Sequence, residues 1–256
     1  MTKTVAIIPA RYASTRFPGK PLALIHGQPM IAHVYRRVVQ AETVDRVIVA
    51  TDDERIAAAV REFGGEVMMT RADHPTGTDR LAEVARQIDA ELIVNVQGDE
   101  PLIAPRMIDQ AVAPLLADPE LRMGTLAGVI DTIDDFFSPN VVKVVRDLDG
   151  AALYFSRAPI PWPRDLNRDE LSEALQQLGL LRHIGLYVYR RDLLLAYPGW
   201  PKTPLETLEN LEQLRALERG VKLHVALTEF ACHGVDTTED LERISRMMTE
   251  ENNQAE

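Results

Sequence analysis

Residues 4–21 read TVAIIPARYASTRFPGKP, an apolar run that passes directly into a loop of small and basic residues. The β-branched run at 4–8 is typical of a buried strand in a parallel sheet. Similar short runs recur at 46–50, 66–70 and 91–96, and apolar residues at helical spacing lie between them. This alternation predicts βαβ units, and therefore an α/β fold with a mostly parallel central sheet flanked by helices.

The second half of the chain adds an antiparallel element. Between residues 140 and 157, two apolar runs are joined by Asp149-Gly150, a pair that favours a tight hairpin turn. Further on, five leucines between 205 and 217 repeat at helical spacing and predict one helix. The hairpin is therefore expected to be an insertion in the α/β fold.

The domain organisation follows from what the chain lacks. It has no linker rich in Gly, Ser or Pro, so we expect a single domain over 1–250 with a long insertion. Asp236-Thr-Thr-Glu is a good capping sequence, and Thr238 is expected to cap the last helix. We expect residues 251–256 to be disordered.

Composition excludes several classes of protein. The 256 residues include 28 Lys and Arg against 39 Asp and Glu, which leaves a net charge of −11. That balance argues against a nucleic-acid partner. One cysteine, Cys232, excludes an internal disulfide and a multi-cysteine zinc site. No apolar run approaches about 18 residues, so no membrane span is expected, and with no evident targeting segment we expect a cytoplasmic protein.

The loop at 9–21 is the first candidate site. It contributes Arg11, Arg16 and Lys20 at the carboxyl end of a predicted strand, where ligands of open parallel sheets bind. Cations and close-approaching backbone N–H groups suit a polyphosphate. The loop matches neither a P-loop nor a dinucleotide fingerprint, and the alternative is a solvated basic turn. Its small residues are Ser14, Thr15 and Gly19.

Two aspartates are candidate metal ligands. Asp99 follows Gly98 at the end of another predicted strand, where a lone carboxylate suits a divalent ion or a helix cap. Asp236 is explained by capping alone. A metal role for Asp236 requires that it meet Asp99 in space, since Mg²⁺ typically takes one or two carboxylates together with phosphate oxygens.

A helix start and several isolated polar residues complete the candidates. Thr76-Gly77-Thr78 opens a predicted helix with Arg80 in its first turn, and its N–H groups suit either a ligand or a plain cap. His183 beside a strand is more often structural. Glu206, Glu209 and Glu212 would ordinarily form a solvated face, although acids that face a pocket can hold sugar hydroxyls.

These segments also carry a resemblance over roughly residues 4–245. IIPARYASTRFPGKPL, MTRADH…GTDRLAE, VNVQGDEP, RHIGLYVYR and GVDTTEDLER stand in this order. Together they resemble the 3-deoxy-manno-octulosonate cytidylyltransferases, or CMP-Kdo synthetases. The resemblance implies a Rossmann-like nucleotidyltransferase fold, a homodimer with contacts from an insertion at about 140–190, and Mg²⁺ as cofactor. It also implies that CTP and 3-deoxy-D-manno-octulosonate give CMP-Kdo and pyrophosphate, for lipopolysaccharide assembly.

The resemblance assigns roles by position. The catalytic residues would be Arg11, Lys20, Asp99 and Asp236, with Asp99 and Asp236 holding Mg²⁺. CTP would contact Arg11, Ser14, Lys20, Thr76, Gly77, Arg80 and Asp99. The sugar acid would contact Arg16, Gln97, Arg157, His183, Tyr187 and Glu212.

Two alternatives stay open at this point. One is a cytidylyltransferase for a related acid, either an 8-amino analogue or a sialic acid. The other is a non-catalytic nucleotide-binding regulator. The intact set of Arg11, Lys20, Asp99 and Asp236 argues against the regulator, because a pure binder has no need of a metal-held leaving group.

Overall fold

The computed structural model describes residues 3–13 and 17–255. The strands are β1 Thr4–Ala10, β2 Leu24–Ile25, β3 Gln28–Pro29, β4 Arg46–Thr51, β5 Val67–Met69, β6 Leu92–Asn95, β7 Met123–Val129, β8 Lys143–Arg146, β9 Ala152–Ser156, β10 Leu181–Arg190 and β11 Leu223–Leu227. The helices are α1 Met30–Val38, α2 Glu54–Glu62, α3 Gly77–Gln87, α4 Pro105–Ala117, α5 Ile133–Phe137, α6 Arg168–Leu178, α7 Arg191–Ala196, α8 Pro204–Glu209, α9 Leu214–Leu217 and α10 Thr238–Ala255. Short 3₁₀ turns cover Lys20–Leu22 and Tyr197–Gly199.

The chain divides into two compact units that are interleaved in sequence. The first unit comprises 1–109, 189–198 and 232–256, and the second comprises 110–188 and 199–231. Each unit is therefore built from segments that are distant in sequence. The single domain expected over 1–250 stays a prediction.

The first unit is built on parallel strands. β1 pairs in parallel with β4 on one side and β6 on the other, and β5 extends the sheet beyond β4. The side chains of β1 are buried on both faces, as in Val5, Ile7 and Ile8, which explains why its sequence is continuously apolar rather than alternating. Because the strands are parallel, the residues that follow β1, β4, β5 and β6 lie at one edge of the sheet. The predicted α/β fold is confirmed.

The second unit contains the predicted hairpin. β8 and β9 pair antiparallel around a turn in which Gly150 has a φ of 85°, a left-handed conformation that favours glycine. β8 also pairs antiparallel with β10, whereas β7 and β11 pair in parallel. Part of its core is formed by Ile130, Phe136, Leu171, Leu175 and Leu180.

Two predicted helices differ from those observed. The leucine-bearing segment forms α8 and α9 instead of one helix, because Asn210 takes a left-handed φ of 51° and ends α8. The last helix is capped by Thr237, whose Oγ accepts the N–H of Asp240, one residue earlier than expected. It runs to Ala255, and the disordered tail expected over 251–256 stays a prediction.

Within the described part of the chain, none of the helices is both long and apolar enough to cross a membrane.

Candidate active site

A cavity of about 440 Å³ opens in the first unit where β1 and β6 end. Arg11 follows β1 directly, and Gln97 to Asp99 follow β6. This is the edge at which ligands of open α/β sheets bind. The cavity is lined by Pro9, Ala10, Arg11, Ala13, Lys20, Pro21, Gly77, Gln97, Gly98, Asp99 and Asp236.

Lys20 joins the two candidate metal ligands. Its Nζ donates to Asp99 Oδ2 at 2.5 Å, to the Val235 carbonyl at 2.8 Å and to Asp236 Oδ1 at 3.3 Å. The meeting of Asp99 and Asp236 that a metal role requires is therefore present. One cation lies among three oxygen atoms from two loops that are far apart in sequence.

The backbone explains this convergence. The N–H of Val235 donates to the Asp99 carbonyl at 2.9 Å, which joins the loop after β6 to the loop before α10. Gly98 permits the approach to β1, because a Cβ at this position would lie 2.9 Å from the Pro9 carbonyl oxygen. Lys20 begins its 3₁₀ turn after Gly19, which has a left-handed φ of 72°.

The donor set around Lys20 fits a hard divalent cation. Two carboxylates and a carbonyl are oxygen ligands of the kind that Mg²⁺ prefers, and the Lys20 ammonium marks where a positive charge is favourable. No cluster of three or more His, Cys, Asp or Glu that could hold a metal occurs in residues 3–13 and 17–255. A metal at this cavity would therefore depend on two carboxylates together with oxygens from other groups.

Of the other residues predicted to contact CTP, some line the cavity, one caps α3, and one lies outside the described residues. Arg11 lines the cavity, and its Nη2 is buried without a hydrogen-bond partner among the described residues. Gly77 lines it as well, and Thr76 caps α3, with its Oγ accepting the N–H of Asp79. Ser14, and Arg16 from the predicted sugar contacts, lie outside the described residues.

Arg80 is placed differently from the prediction. Its side chain is fully buried, and its guanidinium donates to Thr70 Oγ at 2.5 Å rather than facing the cavity. The guanidinium therefore offers no exposed surface at the cavity in this structure, and its contact with CTP stays a prediction.

Comparisons with known proteins bear on what this cavity does. A family model described as cytidylyltransferase matches residues 5–223. The 3-deoxy-manno-octulosonate cytidylyltransferase of Syntrophotalea carbinolica is 62% identical over 239 residues, 93% of this chain and 96% of that protein. The one from Geobacter metallireducens is 62% identical over 244 residues, 94% of this chain and 96% of that protein. The chain belongs to the 3-deoxy-manno-octulosonate cytidylyltransferases.

A solved structure agrees with this membership. A CMP:2-keto-3-deoxy-manno-octonic acid synthetase in complex with CTP is 43% identical, with a TM-score of 0.90 over 98% of this chain and 100% of that chain. The protein is thus a nucleotidyltransferase, and the α/β fold described above is that of a cytidylyltransferase.

Four of the residues predicted to contact the sugar acid lie in the second unit. Arg157 donates to the carbonyls of Glu209 and Pro139, each at 2.8 Å. His183 hydrogen bonds through Nε2 to Thr125 Oγ at 2.9 Å, and burial lowers its pKa to about 3, so the ring is neutral near pH 7. Tyr187 lies beside His183, with ring centroids 5.4 Å apart. Glu212 is half-buried at the start of the α9 region, whereas Gln97 belongs to the first unit's cavity.

Sequence reasoning missed the buried charges that hold the Arg157 loop in this cytidylyltransferase. Lys143 is fully buried, and its ammonium donates to the carbonyls of Ser138 and Arg157 at 2.7 Å. Glu209 accepts the N–H of Arg157 at 2.9 Å and the hydroxyl of Ser156 at 2.6 Å, and so does not lie on a solvated face. A lysine at an inward position of a strand was the available signal for Lys143.

Glu100 is a further buried group that the sequence did not single out. Burial raises its pKa to about 7, while a hydrogen bond from the Cys232 thiol opposes that shift and the charge of Asp99 adds to it. The folded protein therefore holds a proton on Glu100 that the unfolded chain releases above its ordinary value of 4.5. The stability that this proton contributes is complete below pH 4.5 and is lost as pH rises through 7.

Glu100→Gln should remove this pH dependence. Relative to the wild type, the unfolding free energy of the variant should rise by about 3 kcal/mol between acidic solution and about pH 8. Urea unfolding at both pH values measures the difference. Glu62→Gln at an exposed position is the control and should change neither value. If the unfolding free energies of the variant and the wild type differed by the same amount at both pH values, Glu100 would be ionised in the folded protein at pH 8 and its pKa would not be raised.

Proposed function

We propose that the protein transfers CMP from CTP to 3-deoxy-D-manno-octulosonate and releases pyrophosphate. The observation that carries this proposal is the cavity that is lined by two cationic side chains, Arg11 and Lys20, and by two carboxylates, Asp99 and Asp236. Cations suit a triphosphate, and paired carboxylates suit the divalent ion that accompanies it. Family membership supports the choice of both substrates.

The transfer needs no protein nucleophile. The anomeric hydroxyl of the sugar acid attacks the α-phosphorus of CTP and an O–P bond forms. The hydroxyl proton passes to solvent, and the bond from that phosphorus to the oxygen that bridges it to the β-phosphate breaks, so that pyrophosphate leaves. Both reactants are anions, so positive charge at the cavity lowers their repulsion and stabilises the negative charge that develops on pyrophosphate. We assign that role to Arg11 and Lys20.

Asp99 and Asp236 are the residues that we propose hold Mg²⁺. When bound, the metal supplies Lewis-acid chemistry that polarises a phosphoryl oxygen. For Asp99 and Asp236 to hold the metal, Lys20 must release them. Its ammonium then becomes available to the phosphates of the incoming nucleotide. The oxygen-rich surroundings of Lys20 support this exchange of partners.

We propose that Thr76 and Gly77 contact the nucleotide at the first turn of α3. We also propose that the sugar acid is contacted by Arg157, His183, Tyr187 and Glu212. Because its ring is neutral, His183 would act as a hydrogen-bonding group rather than as a charge for the sugar carboxylate. Arg157 carries the positive charge in this set.

The oligomeric state and cellular setting are also proposals. Exposed apolar side chains of the insertion, Leu148, Leu153 and Trp162, support a homodimer that covers them. We propose that the reaction takes place in the cytoplasm, where CTP is available, and that its product serves lipopolysaccharide assembly.

Pyrophosphate release tests the function directly. Four assays each contain the purified protein, CTP and Mg²⁺. They differ in the acid that is added, which is 3-deoxy-D-manno-octulosonate, its 8-amino analogue, N-acetylneuraminate or none. We expect release that depends on an acid and is fastest with the first one. Faster release with one of the other two acids would reassign the substrate. No release from folded protein that still binds CTP would overturn the enzymatic proposal in favour of a nucleotide-binding role.

A further inference from the structure

Arg80 lies in the first turn of α3, three residues after the cavity-lining Gly77. Its side chain is fully buried. Nη1 donates to Thr70 Oγ at 2.5 Å and lies 3.3 Å from Asp52 Oδ1. The guanidinium is thus shielded from solvent and held by two polar side chains.

The two partners of Arg80 mark the carboxyl ends of neighbouring strands. Asp52 follows β4 directly, and Thr70 follows β5. The N–H of Thr70 also donates to the Thr51 carbonyl at 2.8 Å, which ties these strand ends to each other. The side chain of Arg80 therefore attaches the start of α3 to the carboxyl ends of both β4 and β5.

This arrangement costs the folded protein more than an apolar residue would. Two guanidinium nitrogens of Arg80, Nε and Nη2, are buried without a hydrogen-bond partner among the described residues. Burial lowers the pKa of Arg80; Asp52 counteracts this effect, and the positive charge of Arg11 adds to it. Incompletely paired buried charge is expensive, so its presence calls for a role other than stability.

We propose that Arg80 is a positioning residue of the nucleotide site, holding the first turn of α3, and with it Thr76 and Gly77, against the carboxyl ends of β4 and β5. This inference rests on the proposed function to the extent that the cavity binds CTP. Arg80 itself does not touch the nucleotide. It sets where the N-terminal turn of α3 meets the cavity, and its positive charge adds to that of Arg11 in attracting an anion.

Two variants test this proposal with different risks to folding. Arg80→Lys keeps the positive charge but cannot reach Thr70 and Asp52 in the fixed geometry of a guanidinium. Thr70→Val keeps Arg80 and its shape while removing one of its acceptors. Both should raise KM for CTP, by about tenfold for Arg80→Lys and less for Thr70→Val, with KM for the sugar acid within about twofold of the wild type.

A second buried arginine provides the matched control. Arg215 donates to Glu206 at 2.5 and 2.8 Å, and both side chains are less than one-tenth exposed. Arg215→Lys should lose stability, as Arg80→Lys does, and should leave KM for CTP unchanged. A purely structural Arg80 would behave like Arg215, with a lower unfolding temperature and an unaltered KM for CTP.

Calorimetric binding of CTP separates this inference from the proposed function. If the wild type binds CTP and releases no pyrophosphate, the enzymatic proposal fails while the dissociation constants for CTP still test Arg80. An unchanged CTP dissociation constant in both folded Arg80→Lys and folded Thr70→Val would overturn the positioning role. If Arg80→Lys does not fold, Thr70→Val decides alone.

Discussion

Asp99→Asn is expected to lower the turnover number by about 10²–10³-fold and to leave KM for the sugar acid within about threefold. Asparagine has nearly the same shape as aspartate and keeps one acceptor oxygen, so the Lys20 contact at 2.5 Å is weakened rather than abolished. What is lost is the negative charge, on which an oxygen-liganded divalent ion depends. The loss should therefore appear in the transition state, where charge on the departing pyrophosphate is greatest.

Steady-state pyrophosphate release, with each substrate varied in turn, measures this split. Asp109→Asn is a suitable control, because Asp109 in the same unit accepts the N–H and hydroxyl of Thr43 at 2.9 and 2.8 Å and does not line the cavity. It should affect stability more than turnover. An equal loss in turnover and in sugar-acid binding for Asp99→Asn would argue that Asp99 only maintains the shape of the site.

The sequence predicted the strands of this site more reliably than the meeting of its side chains. β1, β4 and β6 are predictable because burial on both faces requires continuous apolar runs, and parallel pairing then places Arg11 and Asp99 at one edge. Asp236 joins them through the backbone hydrogen bond from the N–H of Val235 to the carbonyl of Asp99. No local pattern encodes that bond, and capping alone accounted for the residues around Asp236.

For Arg80, the expectation that its side chain is exposed is wrong. A charged residue in the first turn of a helix is ordinarily exposed, and the family resemblance added a ligand role for it. Its actual partners, Asp52 and Thr70, come from the ends of two other strands, so only the assembled sheet reveals that this face of α3 is buried. Glu209 was expected on a solvated face for a related reason: the helical spacing of the leucines gave no sign of the left-handed Asn210 that ends α8.

Lys20→Gln is expected to have opposite effects on the two ligands of the cavity. CTP should bind about 10–100-fold more weakly, because a charge-assisted contact to phosphate is lost. A divalent cation should bind the nucleotide-free variant more tightly, because in the wild type the Lys20 ammonium competes for Asp99, Asp236 and the Val235 carbonyl. Glutamine removes this competing charge and leaves the carboxylates to the metal.

Calorimetry with CTP and electron paramagnetic resonance with Mn²⁺ report these two affinities separately, and neither depends on turnover. Lys222→Gln, at an exposed position in the second unit, should leave both unchanged. A lysine that serves only to tie the two loops together would give a different pattern, in which its loss loosens the carboxylates and weakens the binding of CTP and Mn²⁺ alike. Tighter Mn²⁺ binding combined with weaker CTP binding is specific to a lysine that occupies the cation position in the free protein and moves to the phosphates when the nucleotide enters.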